Sequence, residues 1–545
     1  MFTRPKSFSI QTILSFNEIK IKNMLKNKKI LLISRESFSF PFYFLAKDLL
    51  KDNKIASYFI NPMESVFNKS LMNENTYYKH KEIESIEIFD NSDIAMEYTQ
   101  NITKPPIDWE FVKQIELHYT FYKTINLQIL SSQLFSYNYH NRSYYGKSNY
   151  EQQIYWLELN YKRVFQILDL FKPDFIFDLD NSELPRAILS EVSKFRNIPY
   201  IVLEHPRFEQ YKIPNFANVW KNDYFVEEYK RNVLLSPEKL EEEYQYVNSW
   251  KEKKNIMSIE YKGDITSKYK RDSLLIIAKR LLGQIIYFFN QDFLTGNLKF
   301  KRKNPILFHS SIKLLRDIFR SEILRWYLMG KNKFFSNPEK NEKYVYMPLH
   351  LIPESSTFSL APFYINELFI IEQISKSLPV GWMLYVKEHL AMVGERELDF
   401  YGKVNRLPNA KMVTINYYND PKPWILNCMG VITVTGTSAF EAALLGKRSI
   451  LFGEVPFNVI EGITRISNFE DLPQVISSFG EVDNIHSCAA YLSTVKQTGS
   501  EVKLKYLMTE GEKILRGEKA LTDEYRNEIL ALKHFYEKAI KSLEL

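Results

Sequence analysis

Cysteine is nearly absent from this 545-residue chain, which holds only Cys428 and Cys488. Two cysteines exclude a disulfide framework and a four-cysteine zinc site, and they suit a reducing compartment. Long hydrophobic runs are missing too. No stretch reaches the roughly 18 uncharged apolar residues that a membrane-spanning helix requires. The first residues, MFTRPKSFSIQTILSF, are basic but lack an apolar run of signal-peptide length. These absences predict a cytoplasmic protein that is not integral to a membrane. Internal repeats and low-complexity linkers are also lacking. What is present is ordinary for a globular chain, with 45% hydrophobic and 25% charged residues. The length exceeds what one hydrophobic core can organise, so two or three domains are expected. Aromatics reach 15%, but many of the 35 tyrosines stand beside Lys or Asn. That pattern reads as compositional drift rather than as an aromatic binding surface.

The net charge of +7 is unevenly placed. Residues 262–333 contain 16 Lys/Arg and 5 Asp/Glu, a local +11 that leaves −4 for everything else. Within this segment Ser273 to Phe289 is strongly apolar and interrupted by Lys279 and Arg280, and KFKRK follows at Lys299 to Lys303. The plain reading is a helical insertion with a solvated basic face. The sharper one is an interfacial element, residues 273–303, that meets an anionic membrane surface. A basic patch could also serve nucleic acid, but no nucleic-acid motif accompanies it, so no nucleic-acid partner is expected.

Strands alternating with helices occupy both ends of the chain. KKILLIS, IASYFI, SIEIF, DFIFDL and IPYIVLE read as strands in the first 204 residues. The rhythm stops at Trp220 and resumes at KYVYMPL from Lys343, followed by WMLYVKE, KMVTI, GVITVTG and RSILFG. Such alternation predicts parallel sheets covered by helices on both faces. The expected organisation is an α/β domain at 1–219, a basic helical insertion or linker at 220–341, a second α/β domain at 342–484, and charged C-terminal helices at 485–545.

Ligands of such sheets bind outside the carboxyl ends of the strands. In VITVTGTSAFEAALLG a strand ends near Gly436, and Thr437-Ser438 open a helix. A helix start favours an anion, Gly436 allows close backbone approach, and both hydroxyls can donate to phosphate. The competing reading is an ordinary Ser/Thr helix cap. Glu441, one turn on, could accept hydrogen bonds from ribose or simply complement the helix start. In LYVKEHL a strand ends at Lys387-Glu388-His389, where Lys387 and His389 could meet phosphate or base. In MPLHLIPESS, His350 and Glu354 would face the same crevice. Each of these could equally be structural.

The segments YVYMPLHLIPESS, LYVKEH, LPNAKMV and VITVTGTSAFEAALLGKRSILFG, in this order, resemble the capsular polysaccharide biosynthesis family. This family includes transferases that use CMP-activated acidic sugars such as Kdo. The resemblance covers about Lys343 to Leu472. It implies a GT-B fold, two doubly wound Rossmann-like domains facing a cleft that holds the active site. It also implies a nucleotide-sugar substrate, a glycan or lipid-linked acceptor, and no further cofactor or metal. His389 matches the histidine of the family's His-Pro pair, with Leu390 in place of the proline, and Thr437 and Ser438 match its hydroxyl pair. A CMP-acidic sugar is thus the favoured donor, with UDP-sugars open. An inverting transferase needs a general base, and in this fold it comes from the N-terminal domain. There FIFDLDNSELPR presents Asp180 first and Asp178 second, although Asp180 could merely cap the next helix. LEHPRFEQ adds Glu204, His205 and Arg207, the last suited to an anionic acceptor. Alternatives on the same fold are a UDP-sugar epimerase, a polyol-phosphate transferase, or a non-catalytic capsule-assembly protein.

Overall fold

The computed structural model describes residues 25–60, 73–131, 149–181, 183–256, 272–294, 311–352 and 355–543. Two separate sheets organise them. The first contains β1 (Lys29–Ser34), β2 (Lys54–Phe59), β3 (Ile86–Asp90), β4 (Phe175–Asp178), β5 (Tyr200–Glu204) and β6 (Tyr211–Asn215). The second contains β7 (Lys343–Pro348), β8 (Trp382–Lys387), β9 (Ala410–Met412), β10 (Gly430–Thr433), β11 (Ser449–Leu451) and β12 (Ile463–Arg465). In space the strands run β3-β2-β1-β4-β5-β6 and β9-β8-β7-β10-β11-β12. That is one order used twice, the doubly wound order with its reversal between β1 and β4 and between β7 and β10. Every pair in the second sheet is parallel. In the first only β6 is antiparallel, and β13 (Ser500–Glu501) extends it from near the far end of the sequence.

The strands read as continuous apolar runs because helices cover both faces. Ile30, Leu31, Leu32 and Ile33 of β1 are all fully buried, the odd and even positions entering different cores. The helix Tyr150–Phe171 seals one face, its start fixed by a reciprocal Asn149/Gln152 capping box. The other face is closed by the helix Ser39–Leu49 and by the chain's last two helices, Leu504–Leu515 and Asp523–Leu543. Tyr536 stacks on Phe177 at 4.0 Å and donates to the Asp178 carbonyl at 2.8 Å. The C-terminal helices therefore complete the N-terminal domain.

Residues between the two sheets divide into two parts. Helices Asp223–Asn232 and Glu241–Glu252 pack on the helix Ile485–Thr498, joined by Tyr229 to Ser487 and by Asn232 to Thr494. Helix Ser311–Leu328 rests on the loop after β8. Ser321 donates to Glu395, and Arg325 donates to the Leu390 carbonyl. Gly394, at φ +92, permits this approach, since a Cβ there would strike the Ser321 carbonyl. Helix Leu274–Leu294 lies alongside, with Arg280 reaching Glu322 at 3.5 Å. Among the described residues no helix is long and apolar enough to cross a membrane.

Candidate functional site between the domains

The carboxyl ends of both sheets face each other. Ser359, in the helix that follows β7, donates to the Asn181 carbonyl after β4. Tyr122 packs edge-on against Phe363 at 5.4 Å. Tyr491 anchors the loop after β5 by donating to the Pro206 carbonyl. The charge of Arg207, on that loop, acts on Glu441 in the opposite domain.

On the C-terminal side β10 turns at Gly436 into the helix Thr437–Leu444. No side chain caps this helix, so the Ser/Thr pair does not serve as an N-cap. Instead Ser438 Oγ and Thr435 Oγ1 are buried with no hydrogen-bond partner among the described residues. Their residues are 9% and 2% exposed. An unsatisfied buried hydroxyl costs roughly 1–3 kcal/mol unless a ligand or water completes it. An uncapped helix start with two such hydroxyls is arranged for an anion. Thr437 is half-buried at the same turn. Gly436 has a packing reason as well, because a Cβ would strike Thr433 Oγ1 and crowd His350 Nε2.

His350 fixes this turn from below. Its Nε2 accepts from the Thr435 N–H at 3.3 Å and lies 3.2 Å from Thr433 Oγ1. With Nε2 accepting, the neutral ring carries its proton on Nδ1, facing Glu367 at 3.2 Å. Glu367 also accepts from the His350 N–H, and Arg396 joins Glu367 to Glu388, each at 2.8 Å. His350 is thus a buried brace rather than a group open to the crevice. Glu354, expected beside it, lies outside the described residues.

Lys387 is engaged within its own domain. It is buried, donates to the Tyr418 carbonyl at 2.9 Å and lies over the Trp424 ring. Burial pulls its ammonium down to about 8, with Asp420 opposing the shift. His389 is exposed, and its Nδ1 accepts from the Ala391 N–H, which leaves Nε2 as the donor nitrogen. Glu441 is partly exposed to the cleft. Its carboxyl is pushed up to about 8 by burial and by Asp420, against the pull of Arg207. At neutral pH it can donate as well as accept.

On the N-terminal side the loops after β1, β4 and β5 contain Glu36, Glu183, Arg207 and Glu209 at positive φ. Non-glycine residues hold that conformation only where their surroundings impose it, often at functional sites. Glu183 is tied to Arg35. Asp178 is fully buried, accepting from Arg186 at 2.9 Å and from Tyr200 at 2.8 Å. Burial pushes its carboxyl up to about 6, against Arg186 and Tyr200. Arg186 continues to Asp180 at 3.3 Å. The Asp-x-Asp spacing is therefore bridged by a guanidinium, and Asp178 faces the core. Asp180 keeps 19% of its side chain accessible. Glu204 is buried with Oε1 accepting from the His205 N–H and Oε2 lacking a partner among the described residues. Burial raises its carboxyl too. His205 and Arg207 are exposed on the same loop.

Sequence reading missed Thr435, Glu367, Arg396 and Asp420. Thr435 lay in plain view one residue before the glycine. The acid–Arg–acid network joins positions far apart in sequence and left no local pattern.

No protein-family model matches the sequence, and no curated relative matches it. Solved structures align weakly. KpsC β-Kdo 2,7 transferase of Thermosulfurimonas dismutans aligns at 12% identity and a TM-score of 0.29, over 66% of this chain and 90% of that one. UDP-GlcNAc 2-epimerase of Methanocaldococcus jannaschii aligns at 11% and 0.22, over 86% and 99%. Anabaena HepE in complex with UDP-glucose aligns at 10% and 0.24, over 90% and 100%. The activities in these names belong to those proteins. The two Rossmann-like domains of this chain stand on its own strand order.

Proposed function

We propose that this chain is a GT-B glycosyltransferase of surface polysaccharide biosynthesis, capsular or lipopolysaccharide. It moves a sugar from a nucleotide-sugar, a CMP-acidic sugar by preference, to a glycan or lipid-linked acceptor. The observation that carries the reading is the uncapped start of helix Thr437–Leu444 with its two partnerless buried hydroxyls, opposite a carboxylate-bearing loop. The first receives a phosphate and the second a hydroxyl to be activated.

In this reading the donor phosphate sits on the Thr437 and Ser438 amides and the Thr435 and Ser438 hydroxyls. Glu441 meets the ribose, and His389 Nε2 lies within the same crevice. Asp180 takes the proton from the acceptor hydroxyl as its oxygen bonds the anomeric carbon. The bond from that carbon to the phosphate oxygen breaks, and charge grows on the phosphate. Helix start and hydroxyls stabilise that charge without reorganising. Glu204, His205 and Arg207 border the acceptor, Arg207 being suited to an anionic one. Asp178 holds Arg186, which in turn positions Asp180. Closure of the two domains excludes water and protects the donor.

The exposed Leu274, Leu275, Ile276, Leu282 and Ile286 of helix Leu274–Leu294, with Lys279 among them, support contact with an anionic leaflet at the inner face of the membrane. Sedimentation with vesicles of anionic against neutral lipid tests this.

The decisive measurement is thermal stability with CMP, UDP, CDP and GDP, since a ligand of the folded state raises the midpoint by mass action. A shift with CMP, lost in Thr435→Val/Ser438→Ala, supports the reading. A shift with UDP alone moves the donor to a UDP-sugar. No shift with any nucleotide sinks the enzyme assignment.

A further inference from the structure

The domain interface contains a second cavity that the donor site does not use. It measures about 70 Å³ and lies against Glu183, at the end of the loop that carries Asp180. Both domains build it: Tyr122, Leu184 and Ala187 from one side, Phe358 and Pro362 from the other. Its walls are therefore mainly apolar. For comparison, an apolar cavity that takes up benzene has roughly 150 Å³. This one admits a substituent rather than a whole ring.

The polar groups along it have one sign. Glu183 and Glu191 line it, and among the described residues no Lys or Arg does. Glu183 is already paired with Arg35, so an acidic sugar's carboxylate or a phosphate would find no cation in the lining among the described residues. A neutral group needs none. Glu191 is 8% exposed and held by the Phe121 N–H and the Tyr161 hydroxyl, both at 3.0 Å. Those bonds keep Phe121 in place against the cavity. Burial pushes the Glu191 carboxyl up to about 7, so its protonated and ionised forms coexist near neutrality. Asn218, half-buried in the lining, has a carboxamide with no partner among the described residues. The backbone N–H of Asn218 donates to Ser190 Oγ. A carboxamide offers one donor side and one acceptor side, the complement of another amide.

We infer that this cavity receives the acetamido group of an N-acetylated acceptor sugar, its methyl against Tyr122, Leu184 and Phe358 and its amide paired with Asn218. This rests on the transferase reading above and assigns the acceptor class to it. The sugar ring then lies at the mouth, beside the Asp180 loop, where a ring hydroxyl can reach the carboxylate.

The test is binding of methyl N-acetyl-glucosaminide, methyl glucoside and methyl glucuronide to the full chain, followed by saturation-transfer NMR and calorimetry. The acetamido glycoside is expected to bind at least ~10-fold tighter than the other two, with the strongest saturation on its acetyl methyl. Ala187→Leu, which fills the cavity, should erase that preference while the nucleotide-induced thermal shift persists. Asn218→Ala, which removes the carboxamide from a half-buried position, should reduce it. Equal binding of the acetamido and parent glycosides, or full preference retained in Ala187→Leu, overturns the inference. If the nucleotide shift is present and the preference absent, only this inference falls. If both are absent, the transferase reading falls with it.

Discussion

The two sheets share one strand order and differ in what stands at their carboxyl ends. In the C-terminal domain positive φ at these ends falls on glycine alone among the described residues, and there the turn after β10 leaves hydroxyls without partners. In the N-terminal domain the corresponding loops hold non-glycine residues at positive φ, and their carboxylates are tied to Arg35 and Arg186. The first arrangement awaits an anion, and the second holds a carboxylate at a defined place. The same winding thus yields a cradle or a base, depending on a few residues after each strand.

The comparison can be broken at several points. Asp180→Asn should lower transfer by about 10²–10⁴-fold, the usual contribution of a general base, with nucleotide affinity unchanged. Steady-state kinetics with titrated nucleotide checks both. A fall in nucleotide affinity would place Asp180 on the donor side instead. Next come the buried networks. Arg186→Ala strands Asp178, and Arg396→Ala strands Glu367 and Glu388, each at about 3–5 kcal/mol. Denaturant unfolding reads these losses. The Arg396 variant should also weaken nucleotide binding through His350, whereas the Arg186 variant should leave it intact.

Thr435→Val separates stability from function. Its hydroxyl has no partner among the described residues, so the variant should be as stable as the parent or up to ~1 kcal/mol more stable. Nucleotide affinity should nevertheless fall by about tenfold, roughly 1.4 kcal/mol. A destabilised variant with unchanged affinity would make the hydroxyl structural. The smallest effect concerns Glu441. Its folded carboxyl sits near 8, above the ordinary 4.5. A raised acid contributes its stability below the unfolded pKa and loses it as pH rises through the folded one. Glu441→Gln keeps that contribution. The variant's advantage in Tm should grow from about pH 4.5 to about pH 8 and then level off.

Much of the fold was legible. The apolar runs KILLIS, YIVLE and KYVYMP are strands because sheets covered on both faces demand such runs. β6 was not seen, since Pro214 interrupts it and an antiparallel strand beside the sheet's edge tolerates that. The pattern of residues 501–545 gave helices but not their destination. An amphipathic stripe specifies that a face is covered and leaves open by what. The helix start after Gly436 was visible as a motif, because glycine and paired hydroxyls at a strand end form a local pattern. The roles of Lys387 and His350 were not, because a side chain at a strand end can turn inward or outward without altering the sequence around it.

The return of the chain's last helices to the first sheet has a consequence for synthesis. Domains ordinarily fold in the order in which they leave the ribosome. Here Ile30, Leu32 and Phe177 share a core with Leu507, Leu532 and Tyr536. The domain begun first is the one finished last. Until residues near Tyr536 emerge, one face of its sheet is covered only in part, by helix Ser39–Leu49, and the remainder must be shielded by other means, whereas the second sheet has all of its strands by Arg465. A protein of this build should place its chaperone dependence in the half that a ribosome makes first.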